Sequence, residues 1–228
     1  MASPTPPFRY ERKFLAETLS AAQVRTIVKR HPALFWQPYP PRYVNNIYLD
    51  SAALEHYYDN IDGAEARQKV RVRWYGALFG EIAHPVLEFK LKRGLVGAKE
   101  SYPLPAFALE PGFSGRQLTA TLQAVPLPET VKVRLQGLSP VLLNRYYRWY
   151  FATFDAHFRV TIDTQMTFHH VDRLRSNFLY RDNHNHSVVV ELKYDRVHDR
   201  AAARIAGYFP FPITKNSKYI QGIESVFL

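Results

Sequence analysis

Polar and apolar residues alternate along several segments of this chain with the side-chain period of two that a β-strand imposes. Residues 67–75 carry Lys69, Arg71, Arg73 and Tyr75 at one parity and Val70, Val72 and Trp74 at the other. Residues 86–93 set Glu88, Lys90 and Lys92 against Leu87, Phe89 and Leu91, across a turn at Gly76–Gly80. Further strands are expected over 8–15, 43–50, 131–137, 142–152, 157–164 and 187–195. In the first, Arg9, Glu11 and Lys13 align. Arg145 leads the 142–152 segment, with Tyr147 and Trp149 beside it. In 157–164, His157, Arg159, Thr161 and Asp163 align opposite Phe158, Val160 and Ile162. Glu191 and Lys193 align, flanked by Val190, Leu192 and Tyr194.

Helices are expected over 20–31, in Ser51 to Asn60, and near 114–124, 199–207 and 216–224. The first opens with Ser20 and has Gln23 three positions on, the pattern of a capping box. Residues 103–130, rich in Pro and Gly, read as a loop around one helix. Residues 1–7 read as a loose tail, and 8–228 as a single domain without an internal linker.

An antiparallel sheet with one face in water explains charged alternation on any single strand. Repetition of one unit changes that reading. Glu-x-Lys occurs at Glu11 and Lys13, at Glu88 and Lys90, and at Glu191 and Lys193; Arg-x-Arg occurs at Arg71 and Arg73. A solvated face needs charges but not their order. A closed or nearly closed antiparallel barrel with its polar parity turned inward gives the order a purpose, the apolar parity packing outward against flanking helices. The expected class is therefore α+β, mainly antiparallel β, built around a barrel tunnel. Enclosed cations need a counter-charge, because desolvating each costs several kcal/mol. A string of phosphates supplies one, gripped by Arg forks and Lys point charges. The few carboxylates then suit a divalent cation, Mg²⁺ or Mn²⁺.

Composition supports a polyanionic partner. The 228 residues carry 30 Lys plus Arg against 20 Asp plus Glu, a net charge of +10. A hydrophobic fraction of 46% provides for a packed core. The chain has no cysteine, which excludes disulfides, thiolate catalysis and Cys-ligated metals and fits a reducing, cytoplasmic setting. The N-terminus shows no signal-peptide pattern and no segment has the length of a membrane span. Any membrane association is expected through a separate partner or the basic surface. No P-loop signature occurs. His169-His170 and His184-Asn185-His186 match no standard metal spacing and read as loop histidines.

The sequence resembles the VTC polyphosphate-polymerase domain, within the triphosphate tunnel metalloenzyme (CYTH-like) group. The segments that carry the resemblance run in order: Tyr10-Glu11-Arg12-Lys13-Phe14, Asn46-Ile47-Tyr48-Leu49-Asp50-Ser51, Val70-Arg71-Val72-Arg73-Trp74-Tyr75-Gly76 and Leu87-Glu88-Phe89-Lys90. Asn144-Arg145, Phe158 to Thr164, Val190-Glu191-Leu192-Lys193 and Lys215-Asn216-Ser217-Lys218-Tyr219 follow. The resemblance implies a tunnel in which the γ-phosphoryl of ATP passes to a growing inorganic polyphosphate chain with Mn²⁺ or Mg²⁺. It implies that Arg71, Arg73, Arg159 and Lys218 act on the transferring group, and that Lys13, Lys90, Arg145, Lys193 and Lys215 bind phosphates. Glu191 is the implied metal ligand, with Glu11 and Glu88 as weaker candidates, for which pairing with tunnel lysines is the alternative. Lys99 aligns loosely with a further phosphate-binding lysine. Larger members of this family carry a regulatory inositol-phosphate-sensing domain before this unit and membrane helices after it; neither pattern is seen in this sequence.

Three other readings compete. A triphosphatase on the same tunnel differs only in what attacks the phosphate. A non-catalytic polyphosphate or inositol-phosphate sensor keeps the cations and loses the metal carboxylate, which Glu191 argues against. Nucleic-acid binding by basic, aromatic strands is disfavoured, since no RRM, KH or zinc-finger signature is present.

Overall fold

The alternating segments form the expected strands. The computed structural model describes residues 9–94, 96–176, 178, 182–184 and 187–227; the expected tail at 1–7 lies outside them, as does His186. In chain order the strands are β1 Arg9–Ala16, β2 Arg42–Asp50, β3 Ala66–Tyr75, β4 Gly80–Ile82, β5 Val86–Arg93, β6 Val96–Pro103, β7 Phe107–Leu109, β8 Ser139–Ala152, β9 Phe158–His170, β10 Asp182–His184 and β11 Val188–Asp195. The helices are α1 Ala21–Lys29, α2 Glu55–Ile61, α3 Gly115–Ala124, α4 Glu129–Leu135, α5 Asp199–Gly207 and α6 Lys218–Phe227. Helix α1 starts as its sequence dictates: the Ser20 hydroxyl accepts from the Gln23 amide, and the Gln23 side chain accepts from the Ser20 amide.

Eight antiparallel strands run in the order β9-β11-β1-β6-β5-β3-β2-β8, and β8 pairs back onto β9 to close a barrel. The seam between β1 and β6 is thin, a single pairing of Arg9 with Gly97. β4 and β7 form a separate ribbon, and β10 extends the edge of β9.

Two apolar clusters cover the outside of the barrel, as the outward parity demands. Val70, Val72, Trp74, Leu87 and Phe89 pack with Leu118 and Leu122 of α3 and Val131 of α4. Phe14, Val160, Ile162, Val190 and Leu192 pack with Val24 and Val28 of α1 and Ala202 of α5. A third cluster lies inside the barrel. Tyr48, Leu142, Tyr146, Met166, Phe168 and Val189 meet Tyr219 and Ile223 of α6, so this helix fills one end of the interior. The approach is close enough to require glycine: a Cβ on Gly222 would lie 2.5 Å from Leu142 Cδ2 and 2.6 Å from Phe168 Cδ1. The polar parity therefore does not run the full length of the interior.

Three expectations need correction. The strand expected over 131–137 is instead the body of helix α4, Glu129–Leu135, and the turn after it. Val131 is buried and Leu135 packs on the same cluster four positions on, while Val133 stays exposed, which is helical spacing. Strand β6 went unread because its outward parity, Val96, Ala98, Glu100 and Tyr102, is interrupted by a charge, with Ala98 its only buried residue. His169 and His170 belong to β9 and His184 to β10, not to loops.

Buried Asp50 ties the plugging helix to the wall. Its Oδ1 accepts from the amides of Ser51 and His56 at 2.8 and 3.0 Å, and its Oδ2 accepts from the Tyr57 amide at 3.0 Å and from the Tyr219 hydroxyl. Asp50→Ala leaves several of these donors buried and unpaired, at about 1–3 kcal/mol for each. A loss of about 3 kcal/mol lowers Tm by roughly 6–12 °C for a chain of this size, as calorimetric melting would measure.

Candidate functional site: a cationic tunnel

The interior beyond the plug is lined by charge from seven strands and the first turn of α6. On β3, β5 and β6 three cations converge on one carboxylate. Arg71 donates through Nε and Nη2 to Glu88 Oε2 at 2.8 and 2.7 Å. Arg73 Nη1 lies 3.4 Å from the same oxygen, and Lys99 donates to Oε1 at 2.7 Å. Burial opposes the Glu88 charge, but Arg71, Arg73 and Lys99 outweigh it and hold the carboxyl well below its ordinary range. Arg73 is fixed further by Asn46 Oδ1 at 2.9 Å and the Tyr146 hydroxyl at 3.1 Å. Asn46 donates in turn to Asn144 at 3.1 Å, so the guanidinium is aimed by a relay of buried amides.

A second cluster joins β8, β9, β11 and α6. Arg148 forks onto Asp163 with contacts of 2.5 and 2.6 Å, and Lys218 reaches the same carboxylate at 2.6 Å. Glu191 Oε2 lies 3.0 Å from Lys193 and 3.4 Å from Arg148, and its Oε1 lies 3.7 Å from Lys218. Burial raises both carboxyls, but the surrounding cations overcome it and hold them low: Arg148 and Lys218 at Asp163, Lys193 and Lys218 first at Glu191.

Between the clusters, Lys13 Nζ sits 3.3 Å from Glu11 Oε1 and 3.6 Å from Glu191 Oε1, and donates to the Asn216 carbonyl at 2.6 Å. Lys90 donates to Glu11 Oε2 at 3.2 Å. These carboxylates do not suffice for the cations present. Burial, then Lys13 and Lys90, pull Lys69 far below the ordinary lysine range; its amine donates to Ser217 Oγ at 2.8 Å. Burial, Arg67 and Lys13 lower Lys92. Glu11 supports the Lys90 charge, yet burial with Lys13 and Lys193 holds that group down at about 8.

The structure thus brings together Lys13, Arg71, Arg73, Lys90, Lys99, Lys193, Lys218, Glu11, Glu88 and Glu191. Arg159 shares the parity of Thr161 and Asp163 but is exposed near the start of β9. Lys215 is exposed, its charge felt at Lys92. Arg145 is not in the tunnel. Its register partner Asn45 turns to the Gly76 and Ala77 carbonyls outside, and its guanidinium stacks 3.6 Å from the Tyr43 ring. The arginine that β8 contributes is Arg148, three residues on and at the opposite parity. Sequence reasoning also left Asp163, Tyr146, Lys69 and Lys92 without a role. Asp163, Lys69 and Lys92 were legible in the alternation; Arg148 and Tyr146 sat on a strand with aromatic residues at both parities, where alternation gives no direction.

Hard oxygen donors for a divalent cation are present. Glu11 Oε1 is buried and makes no hydrogen bond, and it shares the Lys13 ammonium with Glu191 Oε1, so a positive charge already lies between them. Among the described residues no group of three or more His, Cys, Asp or Glu forms a complete metal cage. Two carboxylates completed by phosphate oxygens and water suit Mg²⁺ or Mn²⁺. Glu88 is the more tightly engaged carboxylate, with Arg71 and Lys99 each at 2.7 Å and Arg73 at 3.4 Å.

Solved structures share the barrel. A putative adenylyl cyclase from Hippeastrum, described as having a dominant triphosphatase activity, matches with a TM-score of 0.54 at 13% identity, covering 96% of this chain and 97% of that one. A putative adenylate cyclase from Vibrio parahaemolyticus matches with a TM-score of 0.53 at 11% identity, covering 95% and 98%. At such identities the likeness is one of fold. No curated protein matches the sequence. No helix among the described residues is long and apolar enough to cross a membrane. The VTC domain matches residues 8–227, nearly the whole chain, and the protein belongs to that family.

Proposed function

We propose that this protein is a polyphosphate polymerase, passing the γ-phosphoryl of ATP to a growing inorganic polyphosphate chain held in the tunnel. The observation that carries the reading is the excess of enclosed cations over carboxylates, with Lys69, Lys90 and Lys92 held below the ordinary lysine range. A line of phosphates would supply the missing negative charge along the charged part of the interior.

Phosphoryl transfer rests on positioning and charge stabilisation more than on covalent chemistry. Arg71, Arg73 and Arg148 are held by Glu88, Asn46, Tyr146 and Asp163 in orientations a bound phosphate does not have to create. Lys218, Lys13, Lys90 and Lys193 add point charges, and Arg159 meets the ligand at the rim. Glu191 and Glu11 would hold Mn²⁺ or Mg²⁺, which supplies charge neutralisation of phosphate oxygens when bound. The attacking phosphate oxygen is already ionised and needs no base. This favours polymerisation over hydrolysis, because Glu11, Glu88, Asp163 and Glu191 are all held below their usual range and are weak bases for water. The Hippeastrum protein, with its triphosphatase activity, keeps hydrolysis as the competing reading. ATP and polyphosphate are the proposed ligands, with delivery to a membrane, if any, through a separate partner and the cytoplasm as the proposed setting.

Incubation with ATP and Mn²⁺, resolved on a polyphosphate gel, should give a ladder; free phosphate without a ladder would establish the hydrolase instead. Arg73→Ala should lower ladder formation by roughly two to three orders of magnitude, the cost of losing a preorganised charge donor. Wild-type rates in that variant would remove Arg73 from the reaction.

The depressed Lys90 gives a signed pH dependence. Its group titrates at about 8 in the free fold against 10.5 ordinarily. Between those values the unfolded chain binds a proton that the folded chain lacks, so ligand-free stability should rise with pH across the window. Bound phosphates favour the charged amine, so above about pH 8 tripolyphosphate binding must take up a proton and affinity should fall, by up to about tenfold per pH unit for one group. Calorimetric titration and thermal melting from pH 7 to 10 test both signs, and Lys90→Met should flatten each slope.

A further inference from the structure

The end of the tunnel opposite α6 carries a cluster with a different chemistry. Asp50, at the end of β2, binds the plugging helix through Tyr219, so the start of β2 marks the open mouth. There β2 begins with Arg42, β3 ends with Tyr75, and β8 approaches its end at Tyr150. Each has the tunnel parity: Tyr75 follows Arg73 by two residues, Tyr150 follows Arg148 by two, and Arg42 precedes Asn46 by four. A two-residue step is about 6.6 Å along a strand. Tyr75 and Tyr150 therefore stand one layer outside the arginines proposed to hold phosphate.

The Arg42 guanidinium lies 3.8 Å from the Tyr75 ring centroid and 5.3 Å from that of Tyr150, and its Nε donates to the Tyr150 hydroxyl at 3.2 Å. Tyr39 packs edge-on against Tyr150 with centroids 6.1 Å apart. The cluster is open, with Tyr75 46% and Tyr39 62% exposed. No ion pair between Arg42 and a carboxylate occurs among the described residues. Exposed π surface and a cation without an acid partner thus stand together where the line of phosphate-binding side chains ends. The face of a ring, where the π-electrons lie, does not attract phosphate. They suit the flat, uncharged part of a ligand whose charged part lies deeper.

We propose that Tyr75, Arg42 and Tyr150 form a stacking platform for the base of a nucleoside triphosphate, whose phosphates run inward to Arg73 and Arg148. This rests on the reading of the tunnel as a phosphate-binding site and orients the nucleotide within it. The three side chains are two rings and a guanidinium, with no amide or carboxylate among them to read a base edge. It selects for π area rather than for base identity, so purines should bind better than pyrimidines and ATP and GTP should bind alike.

Calorimetric titration of the full chain with ATP, GTP, CTP, ribose 5-triphosphate and tripolyphosphate tests this. Ribose 5-triphosphate should bind like tripolyphosphate, and ATP and GTP about tenfold more tightly, in keeping with the value of one base stack. In Tyr75→Leu the tenfold surplus should vanish while tripolyphosphate affinity stays. Equal affinity of the wild-type protein for ATP and ribose 5-triphosphate would overturn the platform whether or not the variant folds, and would leave the tunnel reading standing. Persistence of the surplus in a folded Tyr75→Leu would overturn it equally. Failure of every triphosphate to bind would overturn the tunnel reading, and the platform with it.

Discussion

Enclosing cations of one sign inside a closed wall is the constraint from which the other features follow. Each ammonium or guanidinium taken from water needs a partner, and its like-charged neighbours make the need greater. Glu88, Asp163, Glu191 and Glu11 meet that need for the arginines and for Lys13 and Lys218, and leave Lys69, Lys90 and Lys92 short. The shortage is borne by the rest of the fold. Two outer clusters against α1, α3, α4 and α5 and an inner one around α6 hold the barrel closed around a charged interior.

The carboxylates divide into two kinds. Glu88 and Asp163 are clamps: they aim Arg71 and Arg148, and every oxygen they have is occupied by a cation. Glu191 and Glu11 are looser, with long contacts to Lys13 and one oxygen without a hydrogen bond. A charged site can thus be rigid at its arginines and open at its acids. Helix α6 packs into one end of the barrel and aromatic residues rim the other, so the two mouths are chemically unlike.

Fold alone does not decide the reaction. The same barrel serves proteins described as cyclase-like and as a triphosphatase at 11–13% identity. What distinguishes one chemistry from another on such a scaffold is which group reaches the phosphorus. Here the tunnel carboxylates are held below their usual range and are weak bases.

The sequence by itself determined the wall. Period-two alternation separated Arg71 and Arg73 from Val70, Val72 and Trp74, and placed Glu11, Lys13, Lys90, Glu191 and Lys193 on one inner face, because a strand leaves a side chain only two directions. Family resemblance added Lys218, which no strand pattern reveals since it opens a helix. Tertiary structure decided the rest. Arg145 and Arg148 lie on one strand rich in aromatic residues at both parities, and a one-residue slip exchanges inside for outside; only pairing with β2 and β9 settles which faces in. Near Gln165, whose φ is +52°, the β8–β9 register shifts, so Asp163 and Met166 both point inward though their parities differ. The convergence of Asp163 with Arg148 and Lys218, and the filling of one end by α6, depend on contacts between residues far apart in the chain. Local periodicity carries no information about such contacts.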